Sequence, residues 1–226
     1  MSRVFDAILF DMDGVVVDSE PVHEKAQRTV IREFGLKVPE SAFSDFKGMT
    51  EDKVYALIAA RYGTNGTPAK RLVAAKHAAF ASLADELQMV RGASALITSL
   101  HAAGCTLGLV TSAASWDQAR AFEKFGLEGY FQAVVTGADV SKPKPYPEPY
   151  LLMAYRLNVT PEACLVIEDS RYGVQSARRA GCRVFGLATT FTSDQLLESG
   201  AHRTFGSMQA IAQVLRAQSG PQDRVA

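Results

Sequence analysis

The stretch "AILFDMDGVVVDSE", residues 7–20, decides how this chain is read. Four apolar residues, Ala7 to Phe10, run straight into Asp11 and Asp13, one residue apart, and then into Gly14. Asp18 and Glu20 follow within a turn or two. Crowded carboxylates repel one another unless a cation or protons compensate. The strand mouth therefore marks chemistry rather than packing.

Working outward, short apolar runs alternate with stretches of helical period. Strands are expected at Val4–Phe10, Thr106–Thr111, Ala133–Thr136, Cys164–Ile167 and Val184–Leu187. Each is rich in Val, Ile, Leu or Phe and bounded by polar residues or glycine, as strands buried on both faces are. Helices fill the gaps. In Ser115–Phe125, Trp116, Ala119, Phe122 and Phe125 are expected to face the core, with Gly126 closing the helix. Tyr172–Ala180 is expected as another, closed by Gly181. This alternation predicts an α/β fold, a Rossmann-like, doubly wound parallel sheet with helices on both faces.

One region breaks the alternation. Between Ser19 and Val90 the signals are helical: Val22, Ala26, Val30 and Phe34 recur every four residues, with Asp18 or Ser19 as N-cap. Helices near Glu51–Tyr62 and Pro68–Leu87 follow, separated by "YGTNGTP". The expected organisation is an α/β core of residues 1–18 and 91–226, interrupted by an all-helical cap of residues 19–90. The tail "AQSGPQDRVA" has the composition of a disordered segment.

Composition narrows the function. At 226 residues the chain can build one core with a smaller insertion. Lys plus Arg equal Asp plus Glu at 24 each, which leaves no basic field for nucleic acid. No apolar run approaches the roughly 20 residues that span a bilayer. Cys105, Cys164 and Cys182 are odd in number and read as reduced thiols, so a cytoplasmic setting is expected and no disulfide framework.

Parallel sheets bind ligands at the carboxyl ends of their strands. Those ends carry Asp11 and Asp13, then Thr111 and Ser112, then Lys142 and Lys144 within "VSKPKPYPEPY", then Glu168 and Asp169. Acids, a hydroxyl and a lysine converging on one edge suit phosphoryl transfer assisted by a hard cation. Mg2+ takes oxygen ligands octahedrally and keeps places for water and phosphate. A carboxylate can attack phosphorus, and a second acid nearby can protonate the leaving oxygen and then activate water. A threonine hydroxyl, amides at a helix start and an ammonium can hold the phosphoryl oxygens. A calcium loop fits poorly, because Gly14 comes too early and Val15–Val17 replace the next acid.

These residues resemble the haloacid dehalogenase superfamily, in the subgroup whose helical cap follows the first motif. "DMDGVVVDSE" resembles motif I, "LGLVTSAAS" motif II and "CLVIEDSRYGVQSARRAG" motif IV. The resemblance implies Asp11 as nucleophile and Asp13 as general acid/base, with Thr111 and the motif III lysine completing the catalytic set. It implies Mg2+ held by Asp11, Asp13 (through its backbone carbonyl), Glu168 and Asp169. In "SKPKPYPEPYL" the pattern Lys-Pro-x-Pro-acid falls on Lys144, Pro145, Pro147 and Glu148. Lys142 is the alternative register.

Substrate contacts are expected from Gly14, Ser112 and Ala113 in the core and from His23, Thr50 and Glu51 in the cap. Dehalogenases lack an acid at the position of Asp13, so the resemblance points to a phosphatase acting on a small phosphorylated metabolite, a sugar or polyol phosphate. A β-phosphoglucomutase-like mutase is the alternative. Mutases carry Arg in the cap loop "Gly-x-Ser-Arg-Glu-Asp" to grip a second phosphate, whereas "KGMTEDKV" puts Glu51 there, with Lys47, Lys53 or Lys76 as possible substitutes. The enzyme is expected to act as a monomer without membrane or nucleic-acid partners.

Overall fold

The computed structural model describes residues 5–219 except 47, 48, 50, 64 and 65. Val4, Lys47, Thr50 and the tail from residue 220 thus lie outside the described residues. Contacts divide the chain into two compact units, Met1–Asp18 with Gln88–Ala226, and Ser19–Leu87.

Elements run in chain order as β1 (Ala7–Phe10), β2 (Val17–Asp18), α1 (Glu20–Glu33), α2 (Ala42–Phe46), α3 (Glu51–Tyr62) and α4 (Ala69–Ser82). Then come β3 (Gln88–Met89), α5 (Ala93–Ala102), β4 (Thr106–Val110), α6 (Ser115–Phe125), β5 (Ala133–Val135) and α7 (Glu148–Leu157). β6 (Cys164–Glu168), α8 (Arg171–Ala180), β7 (Arg183–Leu187), α9 (Ser193–Glu198), β8 (Arg203–Phe205) and α10 (Met208–Ser219) complete the chain.

Six strands form one parallel sheet in the order β5-β4-β1-β6-β7-β8. β1 and β6 are buried along their whole length, which is why their sequences are apolar without alternation. Leu9, Val110, Val135, Val166 and Val184 of the sheet pack with Tyr150 and Met153 of α7 and with Val174 and Ala177 of α8. Burying each of the Val, Leu and Met side chains among them contributes roughly 1.5–3 kcal/mol. Gly126 and Gly181 sit just past α6 and α8 in the left-handed conformation.

Several details differ from the sequence reading. The α6 face was misphased: Trp116 is 46% exposed and Ala119 faces solvent, while Ala121 and Phe122 are buried. Phe122 meets Phe131, which contacts Phe10 edge-on, so the helix is turned toward that aromatic group. β8 was not anticipated because three residues carry little periodic signal. β2 and β3 form a two-stranded antiparallel ladder with Val17 opposite Met89 and Asp18 opposite Gln88. That ladder assigns residues 88–90 to the sheet unit and not to the insertion.

Among the described residues the insertion is wholly helical. Val22, Ala26 and Val30 line the buried side of α1 at the expected spacing. Val30, Phe46, Val54, Tyr55, Ile58 and Leu72 form a separate apolar core. The helix expected over Pro68–Leu87 stops at Ser82 and gives way to a 3-10 turn, Ala84–Glu86.

Candidate active site

β1 is flanked by β4 and β6, and the chain order reverses across it. A doubly wound sheet opens its ligand crevice at such a point. Phe10 pairs with Leu109 on one side and Ile167 on the other, so Asp11 emerges level with Val110 and Glu168. The Asp11 backbone N–H continues the ladder by donating to the Ile167 carbonyl at 3.0 Å. Strand register alone therefore brings two acids side by side.

Lys144 joins them. Its ammonium donates to Asp11 Oδ1 and Glu168 Oε1, each at 2.8 Å, and to the Val110 carbonyl at 3.2 Å. An ammonium has three N–H donors, and these contacts use them all. Lys142 instead reaches over the exposed ring of Tyr146 at 5.9 Å. Glu148 sets this arrangement, accepting from the backbone N–H groups of Ser141 and Lys142 at 2.8 and 2.9 Å and so folding the loop back before α7.

Asp13 lies past the end of β1, half-buried, with Thr111 Oγ1 3.5 Å from its Oδ2. Thr111 ends β4 and is held by its own surroundings: its N–H donates to Val135 O, and Oγ1 accepts from the Ala113 N–H at 3.0 Å. Ser112 is exposed and Ala113 half-buried just before α6. Gly14 is buried at φ +73°, where a Cβ would come within 1.9 Å of Asp169 Oδ2. Only glycine lets the loop pass so close to that acid.

Three contributors were not singled out from sequence. Thr189, past the end of β7, donates to the Gly14 carbonyl at 2.7 Å, and the Thr190 hydroxyl hydrogen-bonds Asp169. The Tyr150 hydroxyl donates to Glu168 Oε1 at 3.1 Å. The strand-end rule applied to the last predicted strand would have raised Thr189 and Thr190. Tyr150 gave no signal, because a tyrosine in an apolar helix reads as core.

Asp11, Glu168 and Asp169 each place a carboxylate oxygen within 4.8 Å of the others. Burial, then the charge of Glu168, pushes the Asp11 carboxyl up to about 8, against the pull of Lys144. Burial, then Asp11 and Glu168, likewise holds Asp169 well above the usual carboxylate range. Burial works against the Lys144 ammonium too, but there the two carboxylates win and raise it. One lysine does not balance this cluster, and an all-oxygen donor set short of positive charge fits a hard divalent cation such as Mg2+.

The insertion's predicted residues sit within their own unit. His23 on α1 stacks on Phe80 of α4, with centroids 4.2 Å apart. Glu51, at the start of α3, contacts Lys76 Nζ at 2.6 Å and His77 Nε2 at 2.5 Å. Thr50 lies outside the described residues.

A family model described as haloacid dehalogenase-like hydrolase matches residues 8–187. The chain belongs to the haloacid dehalogenase-like hydrolases. This hydrolase is 33% identical over 201 residues to a phosphorylated carbohydrates phosphatase from Thermotoga maritima, a match covering 87% of this chain and 92% of the relative. It is 32% identical over 191 residues to a 6-phosphogluconate phosphatase from Escherichia coli, covering 82% and 83% of the two chains. The crystal structure of a Thermotoga maritima protein provisionally named a β-phosphoglucomutase superposes with a TM-score of 0.81 at 29% identity, over 94% of this chain and 99% of that one. No helix among the described residues is long and apolar enough to cross a membrane.

Proposed function

We propose that this hydrolase is a Mg2+-dependent phosphatase that removes phosphate from a small sugar or polyol phosphate through an aspartyl-phosphate on Asp11. It is a phosphoric monoester hydrolase by family. The observation that carries the finer reading is Asp11 itself, buried at the crevice with its Oδ1 fixed by Lys144. The relatives named for phosphorylated carbohydrates and 6-phosphogluconate support the substrate class.

In this reading the Asp11 carboxylate attacks phosphorus while Asp13 gives a proton to the departing alkoxide. Asp13 then takes a proton from the water that hydrolyses the acyl phosphate. Lys144 sets the rotation of the Asp11 carboxylate. The Thr111 hydroxyl and the Ser112 amide donate to the phosphoryl oxygens, the Ala113 amide orients that hydroxyl, and Gly14 leaves them space. Asp11, Asp169 and the backbone carbonyl of Asp13 would hold Mg2+, with Glu168 as the remaining acid of the cluster. When bound, the cation would neutralise phosphoryl charge and orient the group. The enzyme would act as a cytoplasmic monomer on a metabolite, with no nucleic-acid or membrane partner.

The second reading is a phosphomutase, favoured by the name of the Thermotoga structure. A mutase needs a cation to grip a second phosphate while the intermediate reorients. Lys76, which could stand in for the missing Arg, is instead paired with Glu51. Such a pair offers little net charge to a phosphate, which supports hydrolysis. His23 and Thr50 complete the expected substrate contacts of the insertion.

The test is phosphate release over a panel of sugar and polyol phosphates, with Mg2+ and with excess chelator. Phosphorus NMR on β-glucose 1-phosphate plus a bisphosphate primer separates the two readings. Inorganic phosphate is expected from at least one sugar phosphate, with little glucose 6-phosphate in the primed reaction. Accumulation of glucose 6-phosphate without phosphate release would overturn the phosphatase reading.

A further inference from the structure

By resemblance Glu168 is a cation ligand, yet its oxygens are already engaged. It ends β6 with none of its side chain exposed. Oε1 accepts from Lys144 Nζ at 2.8 Å and from the Tyr150 hydroxyl at 3.1 Å. Oε2 accepts from the backbone N–H and the hydroxyl of Ser170, both at 2.9 Å. An ionised carboxylate offers about four lone-pair sites. Four donors meet them here.

The surroundings hold this arrangement in place. A Cβ on Gly173 would lie 1.5 Å from Glu168 Oε1, so the carboxylate tucks beneath the first turn of α8. Ser170 caps that helix by accepting from the Gly173 N–H at 3.0 Å, which fixes the hydroxyl that donates to Oε2. Tyr150 is fully buried and comes from α7, the helix that follows the Lys144 loop. To turn an oxygen toward a cation, Glu168 would have to give up one of these donors and leave it buried without a partner. Asp169 differs: the groups beside it are hydroxyls, Thr189 Oγ1 at 3.5 Å and Thr190. Exchanging such a contact for a cation strands no backbone N–H.

We propose that Glu168 is a positioning residue for Lys144 rather than a ligand of the cation, and that Tyr150 and Ser170 commit it to that role. The proposal rests on the phosphatase reading, since it presupposes a cation beside Asp11 and Asp169. Lys144 then spans two fixed carboxylates, at 2.8 Å each, and hands the orientation of Glu168 on to Asp11.

Mg2+ binding to the metal-stripped full chain, followed by titration calorimetry without substrate, tests this. A single Glu168→Gln change would mislead, because removing a charge near a cation weakens binding whether or not the residue is a ligand. The informative variant is the charge-conserving double substitution Glu168→Gln with Lys144→Met. Its Mg2+ affinity should stay within about threefold of the wild type, whereas Asp169→Asn should lose at least the roughly 10- to 100-fold that even outer-shell losses cost.

Tyr150→Phe, which alters no charge and keeps the ring, guards against a double variant that does not fold. It should leave Mg2+ affinity unchanged and lower kcat roughly tenfold with KM held, the effect of one lost hydrogen bond to a charged group. A double variant as weak for Mg2+ as Asp169→Asn would overturn the proposal, as would Tyr150→Phe with altered Mg2+ affinity or wild-type kcat. A wild type that binds Mg2+ but releases no phosphate would sink the phosphatase reading instead, and the calorimetric pattern would distinguish the two failures.

Discussion

Lys144 holds Asp11 and Glu168 with 7% of its side chain exposed, whereas Arg28, on the first helix of the insertion, holds Glu24 and Glu40 with 40% exposed. Both cations satisfy two carboxylates, but at different cost. Removing three charges from water is unfavourable, and replacing such a group by apolar residues is often neutral or stabilising. An exposed Arg–Glu pair costs little to form and contributes little. The sheet unit thus carries charge that packing alone would not select, while the insertion carries charge that solvation explains. On the proposed function, the difference separates residues kept for chemistry from residues kept for solubility and local order.

The contrast breaks first at Asp11, the proposed nucleophile. Asp11→Asn preserves volume and burial, but an amide cannot attack phosphorus. Turnover should fall by roughly 10⁴-fold or more, as when other enzymes lose a nucleophile. Circular dichroism should be unchanged; wild-type-like rates would end the assignment. Asp13→Asn should cost about 10²- to 10⁴-fold, the usual range for a lost general acid/base, and more with poor leaving groups than with activated esters. A loss independent of the leaving group would argue that Asp13 only shapes the loop.

Lys144→Ala should cost on the order of 10²-fold or more in kcat, comparable to losing one preorganised transition-state donor. Lys142→Ala, two residues away and solvated, should leave kcat nearly unchanged. Steady-state rates on the two variants give a comparison of a buried and an exposed lysine within one loop. Reversed effects would mean that the loop is placed differently in solution.

Thr189 gives a finer test, because it is an exposed residue whose hydroxyl points into the buried site. Thr189→Val removes the donor to the Gly14 carbonyl, 2.7 Å away, and should lower kcat about tenfold through the displaced Asp13 loop. Thr189→Ser should recover most of the loss. If Val and Ser variants behave alike, the hydroxyl has no part in holding Gly14.

Thr189 also shows where sequence stops being informative. Asp11 and Asp13 were legible because a wholly apolar strand ended on them, and a buried strand with acids at its mouth has few bland explanations. Lys144 was legible only through the spacing of the prolines and Glu148 around it, and the hydrogen bonds of Glu148 explain why that spacing works. Tyr150 was not legible. Its position in an apolar helix fits packing, and only the fold shows that its hydroxyl ends beside Glu168. Trp116 failed for a related reason: several helix phases bury some aromatic residue, and the contacts of Phe122 with Phe131 choose among them. Glu51 was read as an acid at the mutase Arg position and Lys76 as a substitute for that Arg; that the two pair with each other was not legible, because they lie a helix apart in sequence. Local pattern fixed the element; the partner came from tertiary placement.

The smallest expected effect returns to the two kinds of ion pair. Asp139 in the sheet unit accepts from Arg156 at 2.6 Å and from the N–H and hydroxyl of Thr136 at 2.8 and 2.7 Å, with 28% of its side chain exposed. The Arg156 guanidinium, then the Thr136 bonds, hold its carboxyl down at about 2. Glu40 in the insertion is also lowered, by Arg28, but is 75% exposed. A carboxyl depressed in the folded state stabilises the fold above its unfolded pKa, near 3.9 for Asp, and loses that contribution as pH falls through the folded value. Asp139→Asn should therefore destabilise by about 1 kcal/mol at neutral pH, after discounting for solvent screening, and the gap to wild type should close between about pH 4 and pH 2. Glu40→Gln should shift denaturant midpoints by nothing measurable at any pH, because water and salt screen its pair. Urea unfolding across that pH range, at low and high salt, reads both. A salt-sensitive destabilisation by Glu40→Gln, as large as that of Asp139→Asn, would show that exposure does not separate the two units and that the opening contrast rests on the buried cluster around Lys144 alone.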